Sequence, residues 1–321
     1  MKIYLPNSAF LGNIETFLRK IDPSDPTTLQ ITSHKQWIAV HPVVLSMTAA
    51  LGLSTKPNSI TCEPLEAKSK NYFDRMGLFK ILNIKSNLTF TEHESAGRFI
   101  PISQIRNSSE QTRFITEMVP LLHLPPSQAE PIKYIIAELT RNVFEHSQSK
   151  QGAIICAQYY HDSNTIKIGI ADTGVGIKHT ISSAYPIVKT DLEAITYALI
   201  PGITGKTSRL GGTSENVGAG LFFIKSIAKV NRDFFIIYSG SALYKLLKTP
   251  VNKQVRLYAN PLKDNHSGKD DLPYWQGTAV GVDINLNQKN DFSTLLSAIR
   301  RAYIDGMKER RKIRYREPKF I

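Results

Sequence analysis

Cysteine and long apolar segments are scarce in this chain. Its 321 residues include two cysteines, Cys62 and Cys156, which offer neither a disulfide framework nor a metal-binding cluster. No run approaches the ~18 consecutive apolar residues of a membrane-spanning helix. The N-terminus, Met-Lys-Ile-Tyr-Leu-Pro, lacks the apolar core of a signal peptide. These absences predict a cytoplasmic protein.

The chain has enough apolar sequence for more than one domain. With 41% hydrophobic residues, it can bury at least one large core and has room for two domains. We predict an α/β (α+β) fold in three parts: a small α/β domain over 1–110, a larger α/β domain over 111–290, and a C-terminal helix with a basic tail over 291–321.

Strands and helices alternate in the N-terminal part, which predicts a sheet with helices packed on it. Two strands are expected at 29–32 and 59–62. A first helix is expected at 41–51, with Pro42 in its first turn and Gly52 after its end. A second, shorter helix is expected at 71–79.

In the larger domain, the segment Glu138-Leu-Thr-Arg-Asn142 lies on a predicted helix. Ser127-Gln-Ala-Glu130 has the form of a capping box, and apolar residues at helical spacing predict a buried stripe. The stripe consists of Ile132, Ile135, Ile136, Leu139 and Val143. Glu138 and Asn142 are four residues apart and lie one above the other. The Asn142 carbonyl can ligate Mg²⁺, and the Glu138 carboxylate can deprotonate a water. Alone, such a pair more often belongs to a solvated face.

A second segment, Asp172-Thr-Gly-Val-Gly176, follows a predicted hairpin. Residues 153–159 and 165–171 are apolar and β-branched and are joined by the polar stretch 160–164. Asp172 therefore stands where a strand ends, and its carboxylate can accept a hydrogen bond from an exocyclic amine such as that of adenine. The glycines let the backbone turn sharply and approach a ligand. Alone, the segment is more often an ordinary turn.

The third segment is a glycine-rich stretch from 200 to 220 that precedes a helical pattern. A long stretch without periodicity inside a compact domain is usually a lid or a disordered segment. It ends in Gly218-Ala-Gly220 before Leu221, and the free amides of a helix start suit a phosphate. Lys206 and Arg209 are candidates to reach a terminal phosphate. Alone, the stretch fits a mobile surface loop equally well.

Together these segments resemble the GHKL superfamily, whose Bergerat ATP-binding fold occurs in gyrase-type topoisomerases, heat-shock chaperones, sensor histidine kinases and mismatch-repair ATPases. A fourth element, Gly277-Thr278 leading into 279–286, is similar to that fold's closing strand. The resemblance covers roughly 111–290 and implies an α/β sandwich, a mixed sheet with helices on one face. The N-terminal part resembles STAS-like domains in its element order and in Tyr72-Phe-Asp-Arg-Met-Gly-Leu-Phe79.

The resemblance implies a role for each matching residue. Glu138 would activate water, Asn142 would ligate Mg²⁺ and Asp172 would bind the adenine amine. The remaining nucleotide-binding positions it implies are Gly174, Gly176, Gly218, Gly220, Leu221 and Thr278. Lys206 is only a plausible choice for the terminal phosphate, because motif position does not assign that residue. Gly211-Gly-Thr-Ser-Glu-Asn-Val217 precedes Gly218-Ala-Gly220, so the sequence does not determine which residues of the third segment form the phosphate-contacting lid.

Whether such a pocket hydrolyses ATP or transfers its phosphate is a separate question. Sensor histidine kinases usually carry an amide or imidazole where Glu138 stands, and this sequence shows no dimerising helical hairpin with a phosphoacceptor histidine. The favoured function is a Mg²⁺-ATP-dependent switch with slow ATP hydrolysis that regulates a partner protein or a second copy of the chain. The alternative is an anti-sigma-factor-like serine/threonine kinase acting on a STAS-like partner, and a third option is an ATP sensor without turnover.

Positive charge is concentrated at the C-terminus. The chain carries a formal net charge of +13, and residues 300–321 contain nine Lys or Arg against three Asp or Glu. A concentrated cationic tail attracts nucleic acid, an acidic partner or an anionic membrane surface. A solvated or disordered tail is the plain alternative.

Overall fold

The computed structural model describes residues 1–63, 70–84, 98–205, 219–287 and 292–316. In chain order, its strands are β1 Lys2–Leu5, β2 Ser8–Ala9, β3 Leu29–Ser33, β4 Ala39–Val40, β5 Ile60–Cys62, β6 Phe99–Ile105, β7 Ala153–Tyr160, β8 Thr165–Asp172, β9 Phe235–Gly240, β10 Ala242–Leu246, β11 His266–Lys269 and β12 Trp275–Asn285.

Its α-helices are α1 Glu15–Leu18, α2 Pro42–Ser54, α3 Lys70–Arg75, α4 Leu78–Ile81, α5 Ser108–Arg113, α6 Pro126–Asn142, α7 Gly176–Ala184, α8 Asp191–Ala198, α9 Gly220–Val230 and α10 Phe292–Arg316. Helix α6 continues without a break into a π-helical turn, Val143–Ser147.

The strands form one large sheet and two small ones. The large sheet has the order β11-β10-β9-β12-β8-β7-β6, and all of its neighbouring strands are antiparallel. Parallel pairing is confined to the β1-β3-β5 and β2-β4 sheets of the N-terminal part. The predicted α+β class is confirmed, although the parallel and antiparallel pairings belong to different sheets. Strand β6, which precedes the predicted boundary at residue 110, is the edge strand of the large sheet.

Both faces of the large sheet are buried. Alternate residues of β7 point to opposite faces: Ile155 packs with α6 and α9 on one face, whereas Ile154 and Cys156 pack with α2 on the other. Burial on two sides explains why β7 and β8 read as almost continuous apolar runs. Where we expected helices on one face only, the N-terminal helix α2 covers the second face.

Helix α2 extends past its predicted end. It begins as expected, with Pro42 in the first turn and the His41 ring accepting a hydrogen bond from the Val43 amide at 3.0 Å. Gly52 does not follow the helix but lies inside it, and a Cβ at this position would overlap the Leu82 side chain. The glycine therefore allows close packing rather than capping the helix. The predicted helix at 71–79 is divided into α3 and α4, because Gly77 between them has a left-handed backbone, with φ +80°.

The helix that carries Glu138 has the predicted buried stripe but a different start. All five stripe residues are buried. Helix α6 begins at Pro126, and no side chain caps it, so the predicted Ser127 capping box is wrong. Pro126 stands at the first helical position, where its fixed φ suits the helix and its missing N–H costs no hydrogen bond. The predicted hairpin is confirmed by the β7–β8 register.

The C-terminal helix α10 packs against α6 and α9. Ile299 is fully buried in this contact, and Leu295, Leu296 and Tyr303 are partly buried. Among the described residues, no helix combines the length and the apolar character needed to cross a membrane.

Candidate functional site

A cavity of about 360 Å³ opens between α6, the turn after β8, and the start of α9. It is bordered by seven of the residues predicted from the sequence: Glu138, Asn142, Asp172, Gly176, Gly220, Leu221 and Thr278. These residues come from four segments that are far apart in the chain. Glu138 and Asn142 lie on α6, Asp172 ends β8, Gly176 and Gly220 begin helices, and Thr278 lies in β12 beside Asp172.

Asp172 is the last residue of β8 and lies opposite Thr278 of β12. Its side chain accepts a hydrogen bond from the Gly174 amide at 2.8 Å, and its carbonyl accepts one from Trp275 Nε1 at 3.2 Å. The residue is 3% exposed. Burial raises the pKa of the carboxyl to about 7, against the lowering effect of hydrogen bonds from the Gly174 and Thr278 backbone. A hydrogen-bond donor entering the cavity would favour the ionised form.

Glu138 projects from α6 and is 8% exposed. Burial raises the pKa of its carboxyl, and Arg141 one turn along the helix opposes that rise through an ion pair with Glu138 Oε2. The Arg141 side chain is half exposed, borders the cavity, and lies 4.0 Å from Glu145 Oε1. A buried carboxyl of raised pKa is a stronger base once ionised than an ordinary surface glutamate.

Asn142 lies one turn beyond Glu138 at the edge of the cavity. Its Nδ2 is buried and has no hydrogen-bond partner among the described residues. A buried polar group without a partner costs free energy, so this side chain is suited to a ligand that supplies one. Its carbonyl oxygen is the kind of ligand that Mg²⁺ prefers.

The two glycines of the turn after β8 have different roles. Gly176 begins α7 with φ +77° and borders the cavity, which is a backbone conformation that glycine adopts without strain. Gly174 does not border the cavity. A Cβ there would overlap the carbonyl of Ser147, so Gly174 allows the turn to pack against the end of the α6 segment. Gly174 was predicted to approach a ligand, whereas in the structure it lies against the backbone of Ser147.

Helix α9 begins at Gly220, and its N-cap residue Ala219 forms no side-chain hydrogen bond. The N-cap residue therefore leaves the first-turn amides available to a ligand, and the positive end of the helix dipole lies at the cavity. A Cβ on Gly220 would lie 2.5 Å from Glu138 Oε2. This glycine allows the helix start and the carboxylate to be neighbours.

Three predicted phosphate-contacting residues, Lys206, Arg209 and Gly218, lie outside the described residues. The described chain stops at Gly205 and resumes at Ala219, and both of these residues border the cavity.

Further cavity residues were not predicted from the sequence. The position of Arg141 could have been predicted from its spacing, since it lies three residues after Glu138 and therefore on the same side of the helix. Tyr134 borders the cavity one turn before Glu138. Thr180, Ile203 and Thr204 also border it, and their contribution depends on how α7 and the segment after α8 fold back, which local sequence does not encode.

The side chains present fit a magnesium-bridged nucleotide better than a protein-only metal centre. Among the described residues, no group of three or more His, Cys, Asp or Glu side chains is arranged to hold a metal. Asn142 offers one oxygen ligand, and Mg²⁺ commonly takes one or two protein ligands and completes its shell with water and phosphate oxygens.

No protein-family model matches the chain, and no curated protein matches its sequence.

Proposed function

We propose that this chain is a GHKL-type protein that binds ATP with Mg²⁺ and acts as a conformational switch on a partner protein or a second copy of itself, with slow ATP hydrolysis as the reset. The observation that carries the proposal is the convergence of seven residues from four separate segments on one cavity. The four segments resemble the GHKL motifs in their order along the chain. A cytoplasmic location fits this proposal, in agreement with the low cysteine content.

The adenine end of the proposed ligand fits the Asp172 side of the cavity. Asp172 is a buried acceptor with a raised pKa, and the exocyclic amine of adenine is a neutral donor that would stabilise its ionised form. Apolar side chains complete this side of the cavity, including Ile170, Ile177 and Val280. A flat, mainly apolar base with one polar edge matches such a lining.

The phosphate end fits the start of α9 and the Glu138–Asn142 edge. Uncapped helix amides and the half-exposed Arg141 guanidinium supply positive potential there. Asn142 would hold the magnesium ion, which would neutralise charge on the phosphate oxygens. Glu138 is the group positioned to orient water and to take its proton.

The switch would depend on residues at the two ends of the 206–218 segment. Gly205 and Ala219 border the cavity, so a bound triphosphate would contact both ends of the segment. Shortly before the segment, Pro201 lies near α10, since its Cγ is 3.5 Å from the position that a Cβ on Gly306 would occupy. Nucleotide binding would thereby reach a surface that a partner can recognise.

Titration calorimetry and a phosphate-release assay on the full chain test this proposal. We expect the wild type to bind a non-hydrolysable ATP analogue in the presence of magnesium and to hydrolyse ATP slowly. Glu138→Gln should retain binding within about threefold and lose about 100-fold or more in rate, the usual contribution of a general base. Asn142→Ala should lose magnesium-dependent binding.

The matched control is Glu130→Gln, since Glu130 is exposed on the same helix two turns earlier. It should leave both binding and rate unchanged. Absence of binding heat at millimolar magnesium would overturn the proposal. If labelled phosphate appears on a protein substrate while little free phosphate is released, the serine/threonine kinase alternative replaces the hydrolytic switch.

A further inference from the structure

The described side chains of α10 change from buried to exposed near the end of the helix. Up to Met307 the helix has a buried side, formed by residues such as Ile299, Gly306 and Met307. Beyond this point Lys308, Glu309 and Lys312 are exposed. The helix continues to Arg316, so its last nine residues extend about 13 Å beyond Met307.

The sequence changes character at the same point. In the helical register, the buried side runs through Ile299, Tyr303 and Met307 in steps of three or four residues. The next positions in that register are Arg310 and Arg314. The apolar stripe packs the helix against the domain, and arginines follow it in the same register. Arginine is rarely buried, so it does not favour further packing of the helix against its own domain.

In the helical register of residues 308–316, cation positions occur on every side of the axis. Residues 308–316 contain six of them with a single acid, Glu309; they are Lys308, Arg310, Arg311, Lys312, Arg314 and Arg316. At about 100° per residue, no two neighbouring cation positions are more than about 120° apart around the axis. Ile313 and Tyr315 occupy positions about 160° apart, so the sequence does not align the two along one side of the helix.

This pattern distinguishes among polyanions. A helix that binds a membrane surface needs an apolar face to insert between lipids, and the sequence of 308–316 does not place apolar residues along one side. A helix that carries positive charge on all sides instead fits a groove lined with phosphate on both walls. The major groove of B-DNA is about 12 Å wide and admits an α-helix of 10–12 Å diameter. The major groove of A-form RNA is too narrow for one.

We propose that residues 308–316 of α10 form a binding element for double-stranded DNA, anchored to the domain by the buried part of the same helix. Its contacts are mainly with phosphates, so the interaction depends strongly on salt and weakly on sequence. The net charge of +13 assists the approach of the duplex. This inference is independent of nucleotide hydrolysis.

Fluorescence anisotropy with a labelled 20-base-pair duplex and the full chain tests the proposal. The informative variant is Lys308→Glu/Lys312→Glu, because both side chains are exposed and the fold should be unaffected, as checked by circular dichroism. The matched control is Lys20→Glu/Lys263→Glu, which changes the net charge by the same amount at exposed positions elsewhere.

We expect the α10 variant to bind DNA at least 10-fold more weakly in 50 mM salt, and the control to change less than threefold. The slope of log affinity against log salt should fall by about 2 in the α10 variant, as expected for two lost phosphate contacts. Four results would overturn the proposal: no binding of duplex at 50 mM salt, equal weakening in both variants, tighter binding of a duplex RNA of the same sequence, or binding to phosphatidylserine vesicles that excess duplex DNA does not reverse.

Discussion

Ser54 Oγ at the end of α2 lies 2.9 Å from Thr173 Oγ1, the residue after Asp172. Ser54 Oγ also donates to the Ala50 carbonyl at 2.9 Å. A hydroxyl has one proton to donate, so Thr173 is the donor in the Ser54–Thr173 hydrogen bond. The helix that covers the back of the large sheet is thereby joined directly to the turn that forms the floor of the cavity.

The first prediction concerns this hydrogen bond. Ser54→Ala removes the acceptor and Thr173→Ala removes the donor, and each change should lower the free energy of unfolding by about 0.5–1.5 kcal/mol. Because both changes remove the same bond, the double variant should be less destabilised than the sum of the single variants. Urea unfolding measures the coupling energy. Additive effects would show that the two hydroxyls do not interact.

The second prediction concerns the dependence of stability on pH. The carboxyl of Asp172 has a pKa of about 7 in the folded protein, whereas an aspartate in an unfolded chain titrates near ~3.9. The folded state therefore holds a proton that the unfolded state releases between these values. The stability contributed by protonated Asp172 is complete below about pH 4 and is lost as the pH rises through 7, on the order of 4 kcal/mol in all.

Thermal unfolding of wild type and Asp172→Asn between pH 5 and pH 8 isolates this effect. Asparagine does not titrate, so the variant should lose less stability than the wild type over this interval. The stability of the wild type relative to the variant should therefore fall as the pH rises from 5 to 8. Parallel pH profiles for wild type and variant would contradict the prediction and indicate that Asp172 is already ionised at pH 5.

Much of the cavity could be predicted from local sequence, because its residues lie at strand ends or beside the apolar stripe of a helix. Asp172 at the end of an apolar strand and Glu138 beside a helical stripe are both visible in the order of residues. The position of α2 could not be predicted from local sequence, because the sheet that buries it is distant in the chain. Its mainly apolar sequence indicated only that the helix is buried on most sides.

The third prediction compares two glycines of the predicted motifs. Gly220→Ala places a Cβ 2.5 Å from Glu138 Oε2, which is the end of a flexible side chain that can move away. Alanine also favours a helix over glycine by about 1 kcal/mol. We therefore expect unchanged or slightly higher stability together with a reduced rate of ATP hydrolysis, because the carboxylate is displaced.

Gly174→Ala provides the contrast. Its Cβ would overlap the backbone carbonyl of Ser147, and the backbone cannot yield as easily as a side chain. We expect a loss of about 1–3 kcal/mol in the free energy of unfolding. Thermal melting and phosphate release, measured on both variants, separate the two effects. If Gly220→Ala is the more destabilised protein, the assignment of the two glycines is reversed.

The final prediction concerns a buried carboxylate that joins the N-terminal part to the large sheet. Asp283 Oδ1 lies 3.0 Å from His41 Nε2, and Asp283 Oδ2 lies 3.2 Å from Lys167 Nζ. His41 Nδ1 accepts from the Val43 amide, so the neutral ring carries its proton on Nε2 and donates it to Asp283. Burial lowers the His41 pKa and so favours that neutral form, while the hydrogen bond from His41 and the charge of Lys167 outweigh burial and lower the Asp283 pKa.

Asp283→Ala should cost about 3–5 kcal/mol, because it leaves the buried His41 donor without an acceptor and Lys167 without its counter-ion. Asp283→Asn should cost less, since the amide oxygen still accepts from His41. Asp162→Ala, an exposed aspartate on the β7–β8 turn, is the control and should change stability by less than about 0.5 kcal/mol. Urea unfolding ranks the three variants. Equal losses for Asp283→Asn and Asp283→Ala would mean that the charge on Asp283, rather than its hydrogen bond to His41, holds α2 against the sheet.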